Sequence, residues 1–131
     1  MHFNQLLGIR AVEEPEGGVT LECPLRGELM NKAGVAHGGV AASLVDVAAG
    51  SAIWSQLNGS RFMTTVELKI NYLRPISEGR MVAKARVVKV GKTLCVAGVD
   101  LFDGDGNQLA VALVTYMLLG ERRPDAPDPG D

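Results

Sequence analysis

Between Glu28 and Glu67 the chain carries a single carboxylate, Asp46, set in the middle of a long, almost uncharged segment. From Asn31 to Asn58 the order is a polar loop, a pair of glycines, then a helix numbered from Val40 that stops at the αL-prone Asn58-Gly59. Turned by about 100° per residue, Val40, Leu44, Val45, Ala48, Ala49 and Ala52 share one broad apolar face. Asp46 lies on its flank, with Gly39, Ala42, Ser43, Ala49, Gly50 and Ile53 as helical neighbours. None of these supplies a cation, and a charge buried without a partner is costly. Either this flank faces water or the carboxylate has chemistry to do.

The rest of the chain reads as strands around that helix. His2–Leu7 suits a short amphipathic turn ending at Gly8, and Ile9–Glu14 and Val19–Cys23 suit two short strands about a turn at 14–18, with Pro24 closing the second. Leu25–Ala36 has no clean period and reads as loop with one short helical turn. After Gly59 the period becomes two. In the strand Arg61–Leu73, Phe62, Val66, Leu68, Ile70 and Tyr72 are expected on one face, and Met63, Thr65, Glu67, Lys69 and Asn71 on the other. Strands follow at Met81–Val90, Leu94–Phe102 and Leu109–Leu119, with Gly91-Lys92 and residues 103–107 as turns. The last strand is apolar on both sides, as expected where both faces are covered, and a second subunit is the simplest cover. From Gly120 the tail has too little apolar content to pack and is expected to be disordered.

The chemistry is expected at the helix start and at Asp46. The first N–H groups of a helix have no internal partner, and two glycines at 38 and 39 let a ligand come close to them. Such donors suit an oxygen that gains negative charge in a transition state. Asp46 sits two turns further on, about 11–12 Å by helical rise, which is too far for both to act on one carbonyl. Cooperation would therefore need the glycine turn of a second chain.

Asn31…Gly34-Val35-Ala36-His37-Gly38-Gly39…Leu44-Val45-Asp46 resembles the signature of the hotdog-fold thioesterases of the phenylacetate-pathway type, close to N-x-x-G-x-x-H-G-G-x-x-x-x-L-x-D. The strand from Thr64 to Pro75 is similar to the segment that follows the helix in that family. The resemblance implies an α+β hotdog fold over 1–119, with a long central helix wrapped by a highly twisted antiparallel sheet. It also implies hydrolysis of an acyl-coenzyme A thioester to free acid and coenzyme A.

By the same resemblance Gly38 polarises the thioester carbonyl, and Asp46 of the facing subunit is nucleophile or general base. Asn31 lies near the attacking water or thioester, His37 orders the loop, and Thr65 lines the site beside the carboxylate. The family assembles as a homodimer, and two dimers form a homotetramer. A thiolate leaves readily near neutral pH, so one carboxylate and one oxyanion donor can suffice. There is accordingly no G-x-S-x-G nucleophile elbow in the chain.

Two other readings share these residues. An acyl-thioester dehydratase would need a His paired with an acid, whereas His37 precedes the helix and Asp46 is on it. A non-catalytic acyl-CoA-binding module would bind without turnover.

A net charge of −2 without a basic run excludes a protein built to hold nucleic acid. Cys23 and Cys95 lie in no metal-like spacing and read as buried thiols of a reducing compartment. No metal or cofactor is called for. Residues 1–5 do not open a signal peptide, and the helix is too short and too rich in Ala, Gly and Ser for a membrane span, so a cytoplasmic protein is expected.

Overall fold

The computed structural model describes residues 2–13 and 18–123. A short helix α1 (Phe3–Leu7) leads into strands β1 (Arg10–Glu13) and β2 (Gly18–Pro24), a single 3₁₀ turn (Gly27–Leu29) and the long helix α2 (Gly38–Gln56). Four strands follow: β3 (Arg61–Tyr72), β4 (Arg80–Val90), β5 (Leu94–Asp103) and β6 (Gln108–Glu121). All pair antiparallel in one six-stranded sheet of order β1-β2-β4-β5-β6-β3, not closed into a barrel. The turn expected at 14–18 falls mostly outside the described residues.

The apolar face of α2 rests on this sheet, chiefly on β2, β4 and β5. Leu44, Val45 and Ile53 are fully buried there against Met81, Val99, Leu101 and Val114. Each such side chain contributes about 1.5–3 kcal/mol by leaving water. Alanines at 48, 49 and 52 on the helix and at 83, 85, 97, 110 and 112 on the sheet keep both surfaces low, so the helix lies close. Although α2 is long and apolar enough to cross a bilayer by itself, its apolar face is spent in this core.

Three features depart from the sequence reading. First, α2 begins at Gly38, two residues before Val40. His37 is its N-cap, and the His37 Nδ1 accepts from the Gly39 N–H at 2.9 Å, which draws both glycines into the first turn. The far end matches expectation, with Asn58 (φ 53°) and Gly59 (φ 64°) in the left-handed region.

Second, the period-two phase of β3 breaks. Thr65 pairs with Tyr116 and Glu67 with Thr115, so Val66 is an extra residue, a β-bulge. Before the bulge Met63 and Thr65 face the helix and Phe62 is exposed; after it Leu68 and Ile70 take the inner side. Thr65 therefore shares a face with Leu68 and Ile70, contrary to the strict alternation, while Phe62 and Val66 do not.

Third, β6 continues past Leu119 to Glu121. The Arg122 N–H then donates to Ser60 O at 2.9 Å, and the Arg122 guanidinium stacks 5.1 Å from the Trp54 ring centroid. Residues 120–123 of the tail expected to be disordered from Gly120 thus continue β6 and contact the end of α2, and 124–131 lie outside the described residues. Cys23 and Cys95 are buried free thiols, as expected.

Candidate active site

Five residues were expected to carry chemistry, and within one chain they fall into two groups on α2. The first lies mid-helix. Asp46 is half-buried, and its Oδ1 accepts two hydrogen bonds: from Thr65 Oγ1 at 2.9 Å and from the Tyr116 hydroxyl at 2.7 Å. The bulge at Val66 makes the first bond possible, because it turns Thr65 to the helix side. The Tyr116 hydroxyl also lies 2.9 Å from the Asp46 carbonyl oxygen. Among the described residues no donor reaches Oδ2.

Asp46, Thr65 and Tyr116 form part of the wall of a cavity of about 1020 Å³ between α1, α2 and β3. Phe3, Val47, Trp54, Phe62 and Met63 supply its apolar lining, and Ser43, Ser51 and Ser55 a polar stripe along the helix. Burial pushes the Tyr116 phenol well above its ordinary value; the hydrogen bond with Thr65 opposes this, and the hydrogen bond to Asp46 and the Asp46 charge add to it. The phenol is therefore a donor throughout the working range of pH.

The second group lies at the start of α2. The Gly38–Gly39 peptide is held on both sides, its carbonyl accepting from the Tyr72 hydroxyl at 2.6 Å and its N–H donating to His37 Nδ1. The carbonyl of the preceding peptide accepts from Val40 N–H (3.0 Å) and Ala41 N–H (3.3 Å). The Gly38 N–H on that same fixed peptide has no acceptor among the described residues, as expected for the first residue of a helix. It is a preorganised, unspent donor. Because Nδ1 accepts, His37 in this geometry is the neutral tautomer with its proton on Nε2.

Asn31 orders the loop before the helix. Its Oδ1 accepts from Ala33 N–H (2.9 Å) and Val35 N–H (3.3 Å), and its carbonyl from Gly34 N–H (3.1 Å). The structure thus joins Thr65 to Asp46, and His37 to the glycine turn. It does not bring Asp46 to Gly38 within one chain, since eight residues of helix separate them by about 12 Å.

Sequence reasoning missed both tyrosines. Tyr116 could have been noticed as a polar-tipped residue in an otherwise apolar strand. Its pairing with Asp46 depends on register across the sheet, which one sequence does not show.

The family model described as thioesterase superfamily matches residues 33–110, the span that holds Gly38, Asp46 and Thr65. A candidate esterase of Saccharolobus solfataricus is 35% identical over 119 residues, covering 91% of this chain and 78% of that one. The medium/long-chain acyl-CoA thioesterase YigI of Salmonella typhimurium is 34% identical over 97 residues, covering 64% of this chain and 63% of its own. The fold matches that of the PaaI protein of the phenylacetic acid degradation operon of Escherichia coli, with a TM-score of 0.81 at 24% identity over 90% of this chain and 84% of that one. The hotdog resemblance read from the Asn31–Asp46 signature is borne out, and the chain belongs to the thioesterase superfamily.

Proposed function

We propose that this protein hydrolyses acyl-coenzyme A thioesters at sites shared between two subunits, each joining the Asp46 group of one chain to the Gly38 turn of the other. The observation that carries this reading is the asymmetry of the Asp46 carboxylate: one oxygen is committed to two donors and the other is open beside a large cavity. The separation of about 12 Å between Gly38 and Asp46 along one helix supports completion in trans. So does β3, a 12-residue edge strand that among the described strands pairs with β6 alone, which is a ready template for pairing with a second copy. YigI, named as an acyl-CoA thioesterase, supports the substrate class.

In this mechanism the thioester carbonyl accepts from the Gly38 N–H, which meets the developing oxyanion next to the positive end of α2. Asp46 Oδ2 either takes a proton from water, whose oxygen then bonds to the acyl carbon, or attacks that carbon itself to form an anhydride that water cleaves. In both routes the C–S bond breaks with its electron pair on sulfur, and coenzyme A leaves as thiolate. Thr65 holds the carboxylate, His37 caps the helix that presents Gly38, and Asn31 stiffens the loop. Two such dimers assemble into a tetramer through the outer face of the sheet. The buried free thiols Cys23 and Cys95 fit a reducing cytoplasm.

A thiol-release assay over aromatic and fatty acyl-CoA esters tests the reading. Turnover of at least one ester by the wild type, lost in Asp46→Ala and Asp46→Asn, is expected; undiminished turnover in both variants refutes it. A single turnover in ¹⁸O water then separates the two routes, since label enters the Asp46 carboxylate only if that carboxylate attacks.

A further inference from the structure

The hydrolysis just described does not use Tyr116, yet its hydroxyl makes the shorter of the two bonds to Asp46 Oδ1. We infer that Tyr116 is the positioning residue of the reactive carboxylate, and that Gly50 is a glycine because the Tyr116 hydroxyl occupies the place of its side chain. This inference rests on reading Asp46 as the reacting group.

The geometry is specific at both ends. The hydroxyl reaches the carboxylate and the backbone carbonyl of the same residue, at 2.7 and 2.9 Å, so it ties the Asp46 side chain to its own main chain and fixes its rotamer. Tyr116 is itself fixed by the sheet, paired with Thr65 on one side and Cys95 on the other. The two donors to Oδ1 thus stand on directly opposed residues of rigid strands. On the helix, a Cβ at Gly50 would come within 2.6 Å of the Tyr116 oxygen and 3.0 Å of the ring carbon that bears it.

Each choice is locally unfavourable. A glycine inside a helix is disfavoured relative to alanine, and a buried hydroxyl is costly without a partner. Phenylalanine at 116 would remove the buried hydroxyl, and with it the contact of 2.6 Å that most directly excludes a side chain at 50. Together the two residues deliver a hydrogen bond to one oxygen of a carboxylate, which leaves the other oxygen as the reactive one. Among the cavity-lining residues of α1, α2, β3 and β6, Asp46 and Tyr116 are the titratable pair, and no cation lies in that wall. The Asp46 carboxylate is therefore held in place by these two hydroxyls.

The test is a set of variants in the intact protein, assayed on whichever acyl-CoA the wild type turns over. Tyr116→Phe is expected to lower kcat roughly ten- to a hundredfold with KM within about twofold. Gly50→Ala, which displaces the hydroxyl but keeps it in the protein, is expected to show the same loss, and the double variant no more than Tyr116→Phe alone. If Asp46→Ala is dead while Tyr116→Phe and Gly50→Ala retain the wild-type kcat, the inference is overturned and the hydrolytic reading stands. Wild-type turnover in Asp46→Ala overturns the hydrolytic reading itself, and the inference with it. Should Tyr116→Phe fail to fold, Gly50→Ala decides by the same criteria.

Discussion

Thr65 and Asp46 stand nineteen residues apart in sequence and share a 2.9 Å hydrogen bond, and Val66, next to Thr65 and extruded from the β3–β6 ladder, is what lets them meet. Without the extra residue, a Thr65 side chain in phase with Glu67 and Lys69 would point away from α2. Bulges that re-aim a side chain beside an active site are a recurrent device. Here the device supplies one of two donors to Asp46 Oδ1. Thr65→Val keeps shape and strand preference but removes the hydroxyl, and is expected to lower kcat about tenfold while leaving the melting temperature within a few degrees. Thr65→Ser, which keeps the donor, is expected to retain most of the activity. Steady-state thiol release by the two variants, read beside their melting curves, checks this.

The Gly38 N–H can be removed without removing the helix. Gly38 is the first residue of α2, where proline is tolerated, since that N–H has no internal partner and the ring presets a helical φ. The residue before it also suits proline, because His37 sits at φ −62°, ψ 134°, in the extended region that proline demands of its predecessor. Gly38→Pro is therefore expected to fold, as judged by circular dichroism. Its kcat is expected to fall by about 10²–10³-fold, the usual cost of one oxyanion donor. A folded variant with wild-type turnover would assign polarisation of the carbonyl to another group.

What the sequence displayed and what it concealed divide along a physical line. The α2 stripe, the turns at Gly91-Lys92 and residues 103–107, and the two-sided apolarity of β6 are local patterns that periodicity reveals. The isolation of Asp46 among Ala, Gly and Ser was legible for the same reason. The bulge at Val66 was not, because it is a property of the pairing of β3 with β6 and shifts the phase without any signal in β3 itself. Tyr116 was concealed likewise: its role depends on a register that sets it opposite Thr65 and above Gly50. Even the start of α2 was misplaced by two residues, since a histidine cap holds two glycines in a helix that their own propensity disfavours.

Acid stability should depend on Glu22, a buried carboxylate on β2 with Arg10 Nε at 2.6 Å and Arg80 on its other oxygen. The Arg10 guanidinium holds it below its ordinary value of 4.5, against the opposing effect of burial and with help from Arg80. A carboxylate depressed in the folded state contributes stability that is complete above the unfolded value and is lost as pH falls through the folded one. At neutral pH Glu22→Gln is expected to be less stable by about 1–3 kcal/mol, from urea unfolding. The gap should start to close as pH drops below 4.5 and vanish once the wild-type carboxyl is protonated, when the two side chains are near isosteres. A gap that persists unchanged in acid would mean that the ion pairs add nothing to the fold.

The outer face of the sheet offers a way to separate assembly from catalysis. Leu113, 51% exposed, stands on β6 opposite Gly98 of β5, a position overlain by the Arg86 guanidinium. Val111 on the same strand and Leu94 on β5 extend the apolar patch. The Asp46 cluster is on the other side of the sheet, because Tyr116 and Leu113 differ by an odd number of positions on one strand. If this patch joins dimers into tetramers, Leu113→Lys should halve the particle mass in sedimentation equilibrium and leave turnover per chain unchanged, since the proposed composite site would lie within each dimer. If the mass halves and turnover disappears as well, the site must span the outer face, and the pairing of Asp46 with a partner across β3 is wrong. If the mass stays put, the patch is covered by something other than a second dimer.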